Sequence, residues 1–282
     1  MSISNFIPTV WSETLYKELD KHLIAVKHCN RDFEGEIKKK GSVVNICGIG
    51  DVSVKNYTKD TDLTAPETLS DTLTTLTIDQ AKCFNFQLDD IDKIQASPKL
   101  MEAALEKAAA AIANEADKYV FNLYHKDYSK VQNYIEDNKP MYETILEART
   151  ILYKNNVSEG TPLYLEVTPE VAEKILKERM NCPLVKEDFY ETGYLGSILG
   201  CKIFVSNNIQ RVIGSNVIYH NCILRTKRCI TFADQLSEIE AYRPEKRFAD
   251  AIKGLHLYGA KIIYPKEYVM VRVEIPDVST TT

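Results

Sequence analysis

Residues 57–77, YTKDTDLTAPETLSDTLTTLT, hold eight threonines, one proline and several acids, with few large apolar groups among them. Threonine suits a pleated strand. The stretch nevertheless carries too little apolar material to anchor a hairpin on a core of its own, and an isolated two-stranded ribbon is marginal in water. The pattern therefore reads as a long two-stranded excursion that projects from the body and lies on something else. A partner surface is the natural support, with strand edges and threonine hydroxyls supplying contacts. A mobile lid over an active site is the competing reading.

Immediately upstream, NICGIGDVSVKNY (45–57) places Gly48-Ile49-Gly50 after a short apolar run, which is how a nucleotide-binding loop would begin. A dinucleotide fingerprint needs a third glycine three residues on, followed by a helix whose N-terminal N–H groups face the pyrophosphate. That position is Ser53, and Val52, Val54 and Asn56 alternate with polar residues at period two. The sequence therefore predicts strand, turn and strand here, not a phosphate cradle.

The rest of the composition narrows the class. With 282 residues, 44% hydrophobic and 27% charged, the chain is ordinary globular material, long enough for one large domain or two small ones. No run approaches about 18 uninterrupted apolar residues, and the first 15 lack a basic segment followed by an apolar one, so neither a membrane span nor a secretory signal is expected. Net charge is 35 − 40 = −5, and Lys38-Lys39-Lys40 is the one dense basic cluster, so the chain is not built to grip nucleic acid. The seven cysteines contain no C-x-x-C pair and the five histidines no H-E-x-x-H, so reduced core thiols are expected and no metal or cofactor site. No serine or cysteine stands in a nucleophile elbow beside a base, so no catalytic residue is assigned.

Along the chain, an apolar arm with the sole tryptophan, Trp11, precedes a short helix from Ser12 to about Val26 carrying Leu15, Leu19, Leu23 and Val26 at helical spacing. Phe84, Phe86 and Leu88 alternate as a buried strand. Ser97-Pro98 opens a helix of roughly 28 residues, about 40 Å long, with Met101, Leu105, Ala108, Ile112, Ala116, Tyr119 and Leu123 on one face. A second helix runs from Tyr142 to about Asn155. Strand 163–167, a cap at Thr168-Pro169 and a helix to Arg179 form a β-α unit. Gly193, Gly196 and Gly200 read as a turn-rich loop before a strand at 202–206, and four apolar runs make the last third strand-rich.

Five stretches in order, FIPTVWSETLYKEL (6–19), NRDFEGEIKKKGSVVNI (30–46), LDDIDKIQ (88–95), LGSILGCKIFVSNNI (195–209) and RFADAIKGLHLYGAKIIYP (247–265), resemble the major capsid (coat) protein of tailed bacteriophages. The resemblance implies an α+β chain with the capsid fold shared by tailed phages and herpesviruses. It implies an N-terminal arm over 1–40 and an extended β-hairpin loop over 41–88. A peripheral domain with a long spine helix would span 89–155 and 241–275, an axial α/β domain 156–240, and a C-terminal tail 276–282. The implied function is structural and not enzymatic: hexamers and pentamers forming an icosahedral shell, in the virion of a phage or prophage, assembled in the bacterial cytoplasm around double-stranded DNA that is not bound sequence-specifically. Portal and decoration proteins are implied partners; because the chain starts at the arm, scaffolding would come from a separate protein or be absent.

Trp11, Lys55, Tyr57, Lys59, Thr61 and Thr64 are the candidate inter-subunit contacts, with no cofactor and no membrane. Some relatives join subunits through a loop lysine and an asparagine; Lys55, Lys59 and Asn207-Asn208 are present, but no motif fixes such a pairing. Two rivals stay open, a cellular nanocompartment shell of the same fold and a cytosolic α/β enzyme with a lid over a cysteine or glycine-loop site. Deleting 55–72 is expected to leave a folded monomer that does not assemble.

Overall fold

The computed structural model describes residues 15, 18–19, 22–33, 41–49, 56, 59, 71–89, 99–125, 134–137, 139–179, 194–214, 217–246 and 248–276. Within them, two antiparallel strands, β1 (Val43–Ile49) and β2 (Asp71–Thr77), form a sheet of their own. Strand β3 (Gln80–Asp89) follows, and then helix α1 (Lys99–His125), the long helix that Ser97-Pro98 and the apolar spacing predicted. After β4 (Tyr134–Asp137) come α2 (Met141–Lys154), β5 (Leu163–Val167), α3 (Pro169–Arg179), β6 (Tyr194–Ile198), β7 (Cys201–Val205) and β8 (Arg211–Ile213). Four longer strands end the chain: β9 (Val217–Thr226), β10 (Ile230–Tyr242), β11 (Ala249–Ile262) and β12 (Tyr268–Pro276).

Two cores organise these elements. In the first, α1 crosses a three-stranded antiparallel sheet of order β10-β11-β3. Leu105, Ala109, Ile112, Ala113, Ala116 and Val120 of the helix are buried against Phe232, Ile252, Tyr258 and Ala260 of the sheet. Alanines at 109, 113 and 116 allow the close crossing; the buried stripe lies to one side of the Ala108, Tyr119, Leu123 line read from the sequence, and those three are half-buried. Phe84 and Phe86 are also half-buried rather than fully so, because β3 is the sheet edge. Phe84 sits where a Cβ on Gly254 would come within 2.3 Å of its ring, which is why β11 carries glycine there. Ala109 is fully buried, so Ala109→Leu overpacks this crossing by about 1–3 kcal/mol. The melting midpoint is expected to fall by about 2–12 °C, and less for the half-buried Ala110.

The second core is a seven-stranded mixed sheet of order β4-β12-β9-β5-β7-β6, with β8 on β9. Parallel pairing of β5 with β7 requires a crossover, and α3 supplies it. Helices α2 and α3 cover this sheet through Met141, Ile145, Ala148, Leu152, Val171, Ala172 and Ile175. Helix α2 stops where the sequence indicated, at Asn155-Asn156, with Asn156 in the left-handed region at φ 63°. The loop expected before residue 202 is instead a hairpin of β6 and β7. Leu199 and Gly200 both have positive φ, 51° and 78°, a two-residue turn whose twist suits a tight hairpin. The divisions expected at 88, 155 and 240 cut across these units: β12 joins the sheet of β5 to β9, β4 and α2 pack with it, and residue 240 falls inside β10.

Candidate functional site

Two places in the fold adjoin the stretches expected to be an arm and a ribbon, the ribbon root and the arm root. At the ribbon root, β1 and β2 pair from Val43 opposite Thr77 to Ile49 opposite Asp71. Gly48 lies within β1 opposite Thr72, so the strand continues where a turn was expected, and no phosphate loop starts at it. Alternation puts Val44, Ile46, Leu76 and Ile78 on one face, where they are buried with Ala233 and Leu257 of the three-stranded sheet. The other face is exposed, with Val43 54% accessible. The root therefore has a small core, which corrects the expectation that the excursion has none; the threonines dominate only beyond it. A Cβ on Gly259 would stand 2.4 Å from the Thr77 carbonyl oxygen, so glycine is what lets β2 lie this close to β11. Lys261 Nζ donates to the Thr75 carbonyl at 2.7 Å and fixes the same strand from the side.

Of the six candidate contact residues, Lys59 is an exposed turn residue. Trp11, Lys55, Tyr57, Thr61 and Thr64 lie outside the described residues.

At the arm root, Leu15, Leu19, Leu23 and Val26 are buried against α1, but the helix expected to run to about Val26 extends no further than His22: Leu23 lies outside it and Val26 opens a 3₁₀ turn. The chain then makes a short 3₁₀ turn, Val26–His28, and bridges to β10 through Asn30. Three charged side chains clamp this turn from inside. Asp117 of α1 is 1% exposed and accepts the backbone N–H groups of Ile24 at 2.9 Å and Val26 at 3.2 Å. Arg225 of β9 and Glu166 of β5 are both fully buried and form a two-pronged ion pair, Nη2 to Oε1 at 2.7 Å and Nε to Oε2 at 3.1 Å. The same guanidinium donates to the carbonyls of His28 at 2.5 Å and Ala25 at 2.8 Å. His28 completes the set, with Nδ1 3.2 Å from Glu166 Oε1 and its ring stacked on Tyr164 at 4.4 Å.

Burial pushes the Glu166 carboxyl up, but the Arg225 charge and the hydrogen bonds from His28 and Arg225 outweigh it, so Glu166 titrates below the ordinary carboxylate range. Asp117 goes the other way: burial, opposed only in part by the N–H groups it accepts, raises it from 3.8 to about 7. A carboxyl raised in the folded state stabilises fully below its unfolded value and loses that contribution as pH rises through the folded one. Stability of the dissociated subunit is thus expected to decline between about pH 4 and pH 7 by on the order of a few kcal/mol from this group. Glu166, being depressed, contributes stability that is fully present above its unfolded value of 4.5 and is lost only as pH falls below it, so it adds no slope between pH 5 and pH 7.5. Urea midpoints at pH 5 and pH 7.5 test this: wild type should lose stability over the interval, and Asp117→Asn should flatten the profile.

The sequence did hold a signal for this clamp. Glu166 interrupts the apolar strand LYLEV, Arg225 ends the run VIYHNCILRT, and Asp117 shares the helical spacing of Ala113 and Val120. Charges at core positions are rare unless paired. Among the described residues, Glu18, His22 and Glu106 also bring possible ligand atoms within 4.8 Å of one another, at a surface where nothing further indicates an ion. No described helix is long and apolar enough to cross a membrane.

A three-stranded sheet under a long helix and a separate mixed sheet covered by two helices make an α+β fold. Comparison with solved structures agrees. Over 88% of its length, the chain is similar to a chain from Mycobacterium phage Che8, of which 90% is covered, with 26% identity and a TM-score of 0.66. It is similar to the capsid of Ralstonia phage GP4 at 10% identity and a TM-score of 0.68, covering 92% of this chain and 90% of that one. A virus-like particle from Pyrococcus furiosus gives 13% identity and a TM-score of 0.55, with 94% and 99% covered. No protein-family model matches the chain, and no curated protein does. The chain has the capsid fold of tailed bacteriophages, as its five sequence stretches indicated.

Proposed function

We propose that this chain is the major capsid protein of a tailed phage or prophage, a structural subunit that assembles with copies of itself into the icosahedral head around double-stranded DNA. The observation that carries the proposal is the pair of built roots on a chain that matches phage capsid structures along about nine-tenths of its length. The root of the ribbon is held by a dedicated cluster, a close-approach glycine and a lysine, and in this reading the chain between its two strands contacts a neighbouring subunit. Repeated over a shell, modest contacts of this kind add by multivalency, so no single interface has to be strong. A net charge of −5 suits a container that lets DNA slide instead of gripping it. In this reading hexamers and pentamers form in the host cytoplasm, a separate scaffolding protein guides them, and portal and decoration proteins join the virion.

The second reading is a cellular compartment of the same fold that would enclose protein, and the fold shared with a virus-like particle from Pyrococcus furiosus is consistent with it. The contents of particles made alongside the neighbouring genes separate the two: nuclease-protected DNA supports the head, and a co-purifying enzyme without DNA supports the compartment. The enzyme alternative needs a reactive Cys201, and burial pushes that thiol up to about 11, leaving little thiolate at neutral pH.

A further inference from the structure

Three buried polar atoms converge at the joint between the long helix and the seven-stranded sheet. They are the Tyr124 hydroxyl near the end of α1, Oε1 of Gln210 just before β8, and Nδ2 of Asn221 on β9. None of them finds a hydrogen-bond partner among the described residues. All three residues line one small internal cavity of about 10 Å³, closed otherwise by Phe121, Ile223 and Met270. Buried polar groups are nearly always satisfied, and three orphans around one space call for a ligand.

The chemistry of the lining selects it. Arg272 Nε lies 3.4 Å from Asn221 Oδ1 and so orients that amide with its NH₂ group away from the guanidinium. The cavity then offers one amide donor, one carbonyl acceptor and one hydroxyl that can act either way. An amide N–H repels a cation, and no charged side chain lines the space to hold an anion. The volume is about that of one solvent probe, and two to four polar partners are what a buried water needs. We propose that this cavity binds one water molecule, which accepts from Asn221 Nδ2, donates to Gln210 Oε1 and completes its set with the Tyr124 hydroxyl. The water would tie the helix to the sheet at a point where the protein makes no direct polar contact between these groups. Tyr124 is suited to its part, since burial keeps its hydroxyl protonated.

An experimental map of the assembled protein at a resolution that shows ordered solvent tests this directly. One peak within about 2.6–3.2 Å of all three atoms is expected. A dry cavity, a peak touching fewer than two of the atoms, or side chains rotated onto other protein partners would overturn the proposal. The variant Tyr124→Phe gives a second readout. With the water present, losing one of its three anchors should lower the melting midpoint by about 2–4 °C. An unchanged or higher midpoint would mean that the hydroxyl had no partner to lose, and would also count against the water.

Discussion

Subunits lacking residues 53–68, with Asn-Gly closing the gap, are expected to fold as the parent does and to form no particles at any concentration. Burial at the ribbon root rests on Val44, Ile46, Leu76 and Ile78, all of which this cut spares. It also spares both paired strands, because β1 ends at Ile49 and β2 begins at Asp71; a cut through 72 would remove the first rungs of the ladder. The melting midpoint of the dissociated subunit should stay within about 2 °C of wild type. Assembly, in contrast, loses one contact per subunit repeated across the whole shell, and multivalent binding collapses when the repeated contact is removed. Sedimentation and circular dichroism read the two effects separately. Particles from the shortened chain would show that the ribbon does not join subunits, and a lost cooperative transition would show that it belongs to the core.

The largest effect on folding is expected from Arg225→Met. It leaves Glu166 fully buried with the His28 ring as its remaining polar partner, and takes the guanidinium donor from the carbonyls of His28 and Ala25. Breaking a buried pair in this way costs about 3–5 kcal/mol, a large share of the 5–15 kcal/mol that holds an ordinary domain. The midpoint should fall by more than about 10 °C, or the protein should become insoluble. Adding Glu166→Met removes the stranded charge, and such apolar replacements of buried pairs are often close to neutral. Here the rescue should be only partial, because the buried His28 carbonyl still lacks the guanidinium donor, while the Ala25 carbonyl keeps the His28 N–H. Full rescue would mean that Arg225 serves Glu166 alone; a wild-type melt for the single variant would mean that the clamp contributes nothing.

Much of this fold could be read from the sequence because local patterns determine it. The apolar spacing of α1, the Thr168-Pro169 start of α3 and the alternation in β5 are short-range signals that tertiary contacts did not override. The hairpin of β6 and β7 was missed because its turn depends on Leu199 adopting positive φ, which a β-turn pattern without Asn or Asp does not advertise. The ribbon was recognised by its threonines, yet its root was not, since Ala233, Leu257 and Gly259 come from strands about 160 residues or more away from β2. Arg225, Glu166 and Asp117 are charges within apolar stretches, a signal the reading of the sequence passed over. Which of them would pair, and that they would hold the arm, depended on packing that brings residues 25 and 225 together. The resemblance assigns 241–275 to the peripheral part together with 89–155, whereas antiparallel pairing sets β12 beside β9, a strand laid down about 50 residues earlier.

The central claim, that copies of this chain build a shell, is tested most directly by the mass of the purified protein in solution, measured by light scattering behind size-exclusion chromatography and checked by negative-stain images. Closed shells, or rings of five and six subunits that convert to shells with neighbouring gene products, are the predicted result. A species that stays monomeric or dimeric at high concentration, with crowding agents and with those partners present, would contradict it.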